Sequence, residues 1–197
     1  MKKFRSIIII FICVLFVSTN RDFVCAADTI SKGPNANLSV EIEDSALENA
    51  KFISEESCIK KGRMITTKIY KQSDGTMITD VFDVSARSLF SKNGSDVTTR
   101  TRVISGWGTV SITAGFRWYT KGLFSYVKCT SMSASRSINS KAAVGTWETS
   151  YTDNYVSIGK AKAQVKYYFY NKSNPTQFQD GTFKITCSDS GTISDNN

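Results

Sequence analysis

Apolar and polar residues alternate with a period of two over most of the chain after residue 64. The clearest run covers residues 109–118. Its apolar positions are Val110, Ile112, Ala114, Phe116 and Trp118. Similar alternation recurs in three other segments, 64–70, 77–84 and 160–169. Because successive side chains of a strand point to opposite faces, each segment is predicted to be a β-strand with one buried face.

Turn signals separate these segments. Ser73-Asp74-Gly75 lies between two alternating runs and predicts a hairpin. Several short strands with such punctuation, and only two prolines in the chain, favour an all-β fold. We predict an antiparallel β-sandwich or small barrel over residues 61–197, preceded by a short helix.

The predicted helix lies in an acidic lead-in. Ser45-Ala-Leu-Glu48 matches a capping box, and apolar residues follow at near-helical spacing, so the helix is expected over about 45–54. Residues 27–60 are interpreted as an acidic linker that carries this helix. Two alternatives stay open for the linker: a pro-segment that lies on the basic part of the chain, or a solvated segment at the domain edge.

Residues 1–26 have the pattern of an export signal. Three basic side chains within the first five residues precede an apolar run over 7–17, which is shorter than the roughly 20 residues that span a bilayer. Val24-Cys25-Ala26 fits the small-residue rule for cleavage. We expect this signal peptide to be removed and the protein to be secreted, either free or associated with the cell surface.

Positive charge is concentrated in the second half of the chain. The sequence has 25 Lys+Arg and 17 Asp+Glu, of which the signal holds four and one; the remaining 21 and 16 give a charge of +5. Residues 99–197 hold twelve basic and five acidic side chains. This imbalance favours an anionic partner, although a charge excess that only maintains solubility is the alternative.

The sequence contains no histidine, which removes the commonest general base and excludes Ser-His-Asp and Cys-His catalysis. No cysteine pair has C-x-x-C spacing, so neither a metal nor a cofactor is predicted. Glu148 beside Trp147 could face a sugar ring, but a surface acid next to a core tryptophan gives the same pattern. We therefore expect a protein that is not an enzyme.

Lysines and tyrosines share the polar face of the segment 160–169. A basic, aromatic-edged face suits an anionic cell-wall polymer or a membrane surface, whereas nucleic acid is a less expected partner for an exported protein. The alternative is an ordinary solvent face on which lysines deter edge pairing. The predicted binding residues are Lys160, Lys162, Lys166, Lys184, Tyr168, Tyr170 and Trp147.

Three cysteines remain after signal cleavage. Cys129 and Cys187 lie on apolar strand faces, so a disulfide between them is predicted, with two buried thiols as the alternative. This bridge would close a long loop and contribute about 4 kcal/mol on the loop-entropy description. Cys58, beside several basic residues, is then the reactive thiol and could join two chains in a dimer.

One part of the sequence resembles a known family. Gly145-Thr146-Trp147, Tyr151, Asn154-Tyr155 and the run from Lys160 to Val165 resemble the pattern of lactococcin-972-type bacteriocins. The resemblance covers about residues 145–170 and implies an exported, basic β-sandwich without enzymatic activity that acts on sensitive bacteria.

Two functions follow from these patterns. The first is a secreted, non-enzymatic protein that binds anionic envelope material through its basic, aromatic-edged face. The alternative is a bacteriocin-like or pore-forming toxin, because the alternating segment 109–118 has the length of a membrane-spanning β-strand.

Overall fold

The structure is a computed structural model that describes residues 45–86 and 93–195. The predicted signal peptide and residues 27–44 of the predicted linker lie outside the described residues. Within these residues there are one short helix and eleven strands, and all strand pairs are antiparallel. The elements are α1 (Ser45–Glu48), β1 (Ala50–Lys60), β2 (Arg63–Gln72), β3 (Met77–Ser85), β4 (Gly94–Ile104), β5 (Gly108–Lys121), β6 (Phe124–Ile138), β7 (Ala142–Tyr151), β8 (Val156–Ser157), β9 (Lys160–Asn171), β10 (Phe178–Ser188) and β11 (Ile193–Ser194).

The strands form two sheets. The large sheet has the order β1-β2-β3-β4-β5-β6-β8, and the small sheet has the order β11-β10-β9-β7. Neighbouring strands in the large sheet follow one another in sequence up to β6, as expected for strands joined by hairpins. The predicted all-β antiparallel fold is confirmed, in its sandwich form.

The core lies between the two sheets and is built by the alternation seen in the sequence. All five apolar positions of the segment 109–118 are at most 1% exposed. They face the small sheet, where Val165, Tyr167 and Phe169 of β9 and Phe183 and Ile185 of β10 are equally buried. Burial of these apolar faces is the main stabilising contribution to the fold.

The predicted helix is shorter than expected. It ends at Glu48, and residues 50–60 form β1, which pairs with β2 along its length. Cross-strand contacts account for the difference: Phe52 packs edge-on against Tyr70, with ring centroids 5.7 Å apart. The large sheet therefore includes residues that the sequence had assigned to the linker. Ala46 and Leu47 of the helix are buried in the same core.

Candidate binding face

The outer surface of the small sheet carries the predicted lysines and tyrosines. Along β9 the inward residues are buried, whereas Lys160, Lys162 and Lys166 are exposed and Tyr168 and Tyr170 are half-buried. On β10, Lys184 lies opposite Gln164 and so faces the same side. We call Lys160, Lys162, Lys166 and Lys184 the basic face.

Two carboxylates lie on the same surface. Glu148 of β7 is opposite Lys166, and Asp180 of β10 is opposite Tyr168. Both are on the side of the basic face that borders the tyrosines. Two further carboxylates lie near its other end: Asp189 follows Ser188, which pairs with Lys160, and Asp153 follows Thr152, whose amide donates to the Lys162 carbonyl.

Aromatic side chains cluster at the other end of this surface. The ring of Tyr168 lies 6.2 Å from that of Tyr170 and 5.4 Å from that of Phe178. We call these three residues the aromatic end. Gly145 lies beneath Tyr168: a Cβ atom at this glycine would come within 2.5 Å of Tyr168 Cδ1. The glycine therefore allows the ring to lie flat against the sheet.

Trp147 does not belong to this surface. It lies opposite Tyr167, on the inward side of β7, and packs against the core. Arg136 of the large sheet covers it, with the guanidinium carbon 4.7 Å from the ring centre. Trp147 points inward because β7 has an irregularity between Val144 and Thr146. One extra residue there reverses the side to which all later side chains of the strand point. The prediction that Trp147 is a binding residue of this face is therefore corrected.

Cys129 and Cys187 are both buried between the sheets, and the structure describes them as free thiols. The Cys129 thiol donates to the Ser131 carbonyl at 3.2 Å and the Cys187 thiol to the Ser188 carbonyl at 3.4 Å. The disulfide predicted from the sequence is thus not formed in the structure. Burial raises the pKa of both thiols; that of Cys187 reaches about 12, with smaller contributions from Asp96 and Cys129. Cys58 is exposed on β1.

This arrangement predicts how the thiols react. In protein purified without reductant, iodoacetamide is expected to modify only Cys58 under native conditions, because the other two thiols are buried and protonated. After denaturation all three should react, as counted by intact mass. A single modified cysteine after denaturation would contradict the free thiols and support the disulfide.

A buried charge cluster was not predicted from the sequence. Asp80 of β3 is 2% exposed and lies between Arg100 and Arg102 of β4, which are equally buried. Arg102 binds it through two nitrogens, each 2.7 Å from a carboxylate oxygen, and Arg100 Nη2 lies 2.8 Å from Oδ2. Burial opposes ionisation of Asp80, but Arg102 and Arg100 outweigh it and hold the pKa of this carboxyl below its usual range.

The charge cluster also ties the two sheets together. Arg100 donates to the backbone carbonyl of Lys184 at 2.8 Å, directly beneath the basic face. Both guanidinium groups lie over the ring of Phe183, at 4.3 and 4.8 Å from its centre. The sequence signal for the cluster was that Asp80 of β3 and Arg100 and Arg102 of β4 occupy the inward positions of strands whose residues alternate between the two faces.

No family model, curated protein or solved structure matches the chain. The resemblance to lactococcin-972-type bacteriocins thus stays a prediction from the sequence. Among the described residues, no helix is long and apolar enough to cross a membrane. Within the same residues, no group of three or more Cys, Asp or Glu side chains is placed to hold a metal ion.

Proposed function

We propose that this protein is a secreted, non-enzymatic binding protein that attaches to anionic envelope material through its basic face. The observation that carries the proposal is the grouping of four lysines on one face of two adjacent strands. The three lysines of β9 lie within seven residues, and the six steps from the first to the last span about 20 Å at roughly 3.3 Å per residue. This length matches an extended polyanion better than a single small anion.

The aromatic end extends the surface in a way that suits envelope material. Tyr168, Tyr170 and Phe178 offer flat apolar area with polar tips on the tyrosines. A polymer that alternates charged groups with less polar units could contact both parts at once. A membrane surface offers the same combination, with anionic headgroups beside apolar chains.

The surroundings of Glu148 do not favour a catalytic role for this residue. This side chain is exposed and lies opposite Lys166 on the neighbouring strand. The neighbouring Trp147 is on the other side of the sheet, so the two do not form a common site.

Salt dependence of binding tests the proposal. We expect purified protein to bind poly(glycerol phosphate) and phosphatidylglycerol vesicles at low salt, and not to bind phosphatidylcholine vesicles. Because three or four lysines contact the polyanion, log K against log salt concentration should fall with a slope of about −2 to −3. Preference for the polymer or for the vesicles identifies the source of the anionic groups. Absence of binding to both, or a slope near zero, would contradict the proposal.

The toxin alternative stays a prediction. A pore-forming strand needs an apolar face that can be offered to lipid. In the segment 109–118 that face is fully packed against the small sheet. Since no described feature favours the toxin over the binding protein, we develop only the latter.

A further inference from the structure

A cleft opens at one end of the sandwich, where four strand connections meet. These are the connections β2–β3, β4–β5, β6–β7 and β9–β10, and each contributes residues to the lining. The cleft has a volume of about 400 Å³. This volume lies within the range of small-molecule sites, which are usually concave and formed by loops on a rigid scaffold.

Two aromatic side chains form the apolar part of the cleft. Trp107, from the β4–β5 connection, is half-buried, and Phe178 at the start of β10 is 49% exposed. The backbone of Trp107 is fixed on both sides: its amide donates to the Ile104 carbonyl at 3.0 Å, and its carbonyl accepts from the Asn139 amide at 2.7 Å. Its side chain packs against the core, so the cleft has a positioned indole rather than a freely moving one.

The polar groups of the cleft are also held in place, and each keeps hydrogen-bonding capacity. Asp74 accepts the Thr76 amide through Oδ1 at 2.8 Å, so its second oxygen can accept from a ligand. Gln177 accepts from Asn171 through Oε1 at 3.0 Å, so its Nε2 group is the donor it can offer. Lys141 adds an exposed ammonium group.

This combination selects a class of ligand. One carboxylate and one ammonium group cancel in charge, so the lining does not favour an ion. An acceptor, two donors and two aromatic surfaces match a ring that has hydroxyl groups at its edge and C–H bonds on its face. We infer that this cleft binds a neutral sugar unit of a glycan, with the ring against Trp107 and its hydroxyls on Asp74 and Gln177.

The cleft and the basic face are separate sites, and the aromatic end lies between them because Phe178 belongs to both the cleft and the aromatic end. This ring lines the cleft and lies 5.4 Å from Tyr168 of the aromatic end. A glycan chain held in the cleft could thus continue toward the tyrosines. The inference does not depend on the proposed function, because binding of a neutral sugar in the cleft is not expected to weaken with salt.

Titration with neutral oligosaccharides tests the inference. We use chitotetraose and cellotetraose with purified protein and follow tryptophan fluorescence together with calorimetry. Trp107 is the expected reporter, so quenching should disappear in Trp107→Phe while calorimetric binding persists. No binding of either probe at about 10 mM, or quenching that remains in Trp107→Phe, would overturn the sugar site.

Two nearly isosteric variants test the polar contacts without disturbing the loops. Asp74→Asn keeps an oxygen for the Thr76 amide, and Gln177→Glu keeps the acceptor for Asn171. Each removes one contact to the ligand and should weaken binding about ten-fold. Asp153→Asn, an exposed change beyond the far end of β7, serves as the control and should bind normally. Unchanged affinity in both cleft variants would overturn the placement.

Discussion

Replacement of Asp80 by asparagine is expected to lower the free energy of unfolding by about 3–5 kcal/mol. The change leaves Arg100 and Arg102 buried without their shared carboxylate, and an uncompensated buried charge is strongly destabilising. Urea denaturation followed by circular dichroism measures the effect. Asp83→Asn is the matched control, since Asp83 lies on the same strand but pairs with Arg63 at the surface. That pair is about one-third exposed, so the control should cost at most about 1 kcal/mol.

The same carboxylate predicts how stability depends on pH. The folded pKa of Asp80 is lowered, so its contribution is fully present above the ordinary value of about 4. The contribution is lost as the pH falls from there through the folded pKa. Below pH 4 the wild-type protein should therefore lose stability more steeply than Asp80→Asn. Parallel curves for the two proteins would show that other carboxylates cause the acid sensitivity.

Combined replacement of Lys160, Lys162 and Lys166 by glutamine should weaken binding to phosphatidylglycerol vesicles more than 100-fold. The estimate uses about 1 kcal/mol for each lysine near an anionic surface, or about 3 kcal/mol in total. The three side chains are exposed, so the fold should keep its thermal stability. Cosedimentation with vesicles measures the change.

A charge-matched variant separates the basic face from net charge. Glutamine at Lys51, Lys71 and Lys121 removes three exposed charges from the large sheet. This variant should retain nearly all of the binding. Equal losses in both triple variants would mean that the lysines of β9 act only through the total charge of the protein.

Period-two alternation was a sufficient guide for strands with one apolar and one polar face. For β5 and β9 it predicted both the strand and the face that is buried. In such strands the side to which each side chain points follows from its position in the alternating pattern alone. The lysines and tyrosines of β9 could be placed together for the same reason. Lys184 could be added because neighbouring strands expose the same side.

Features that depend on register or on distant partners could not be predicted. The side to which Trp147 points is set by one irregularity in β7, which no alternation rule anticipates. The charge cluster requires Asp80 to lie opposite Arg102 and requires Phe183, from the other sheet, to cover both arginines. The cleft was missed because it is formed by loops that are far apart in sequence. Residues 50–54 were assigned to the helix, and the rest of β1 to the linker, because their apolar spacing did not reveal the pairing with β2.

The position of β10 in the small sheet sets the order in which this molecule can fold. It is an interior strand, and its Phe183 covers the two arginines of the charge cluster, yet it is the last long strand among the described residues. Asp80 and the two arginines stay hydrated until that strand docks. Lys184 of β10, whose carbonyl binds Arg100, lies more than 80 positions after Arg100 in the sequence. Such distant contacts make folding slow. A chain that emerges from its N-terminus onward therefore cannot close this core until β10 has emerged.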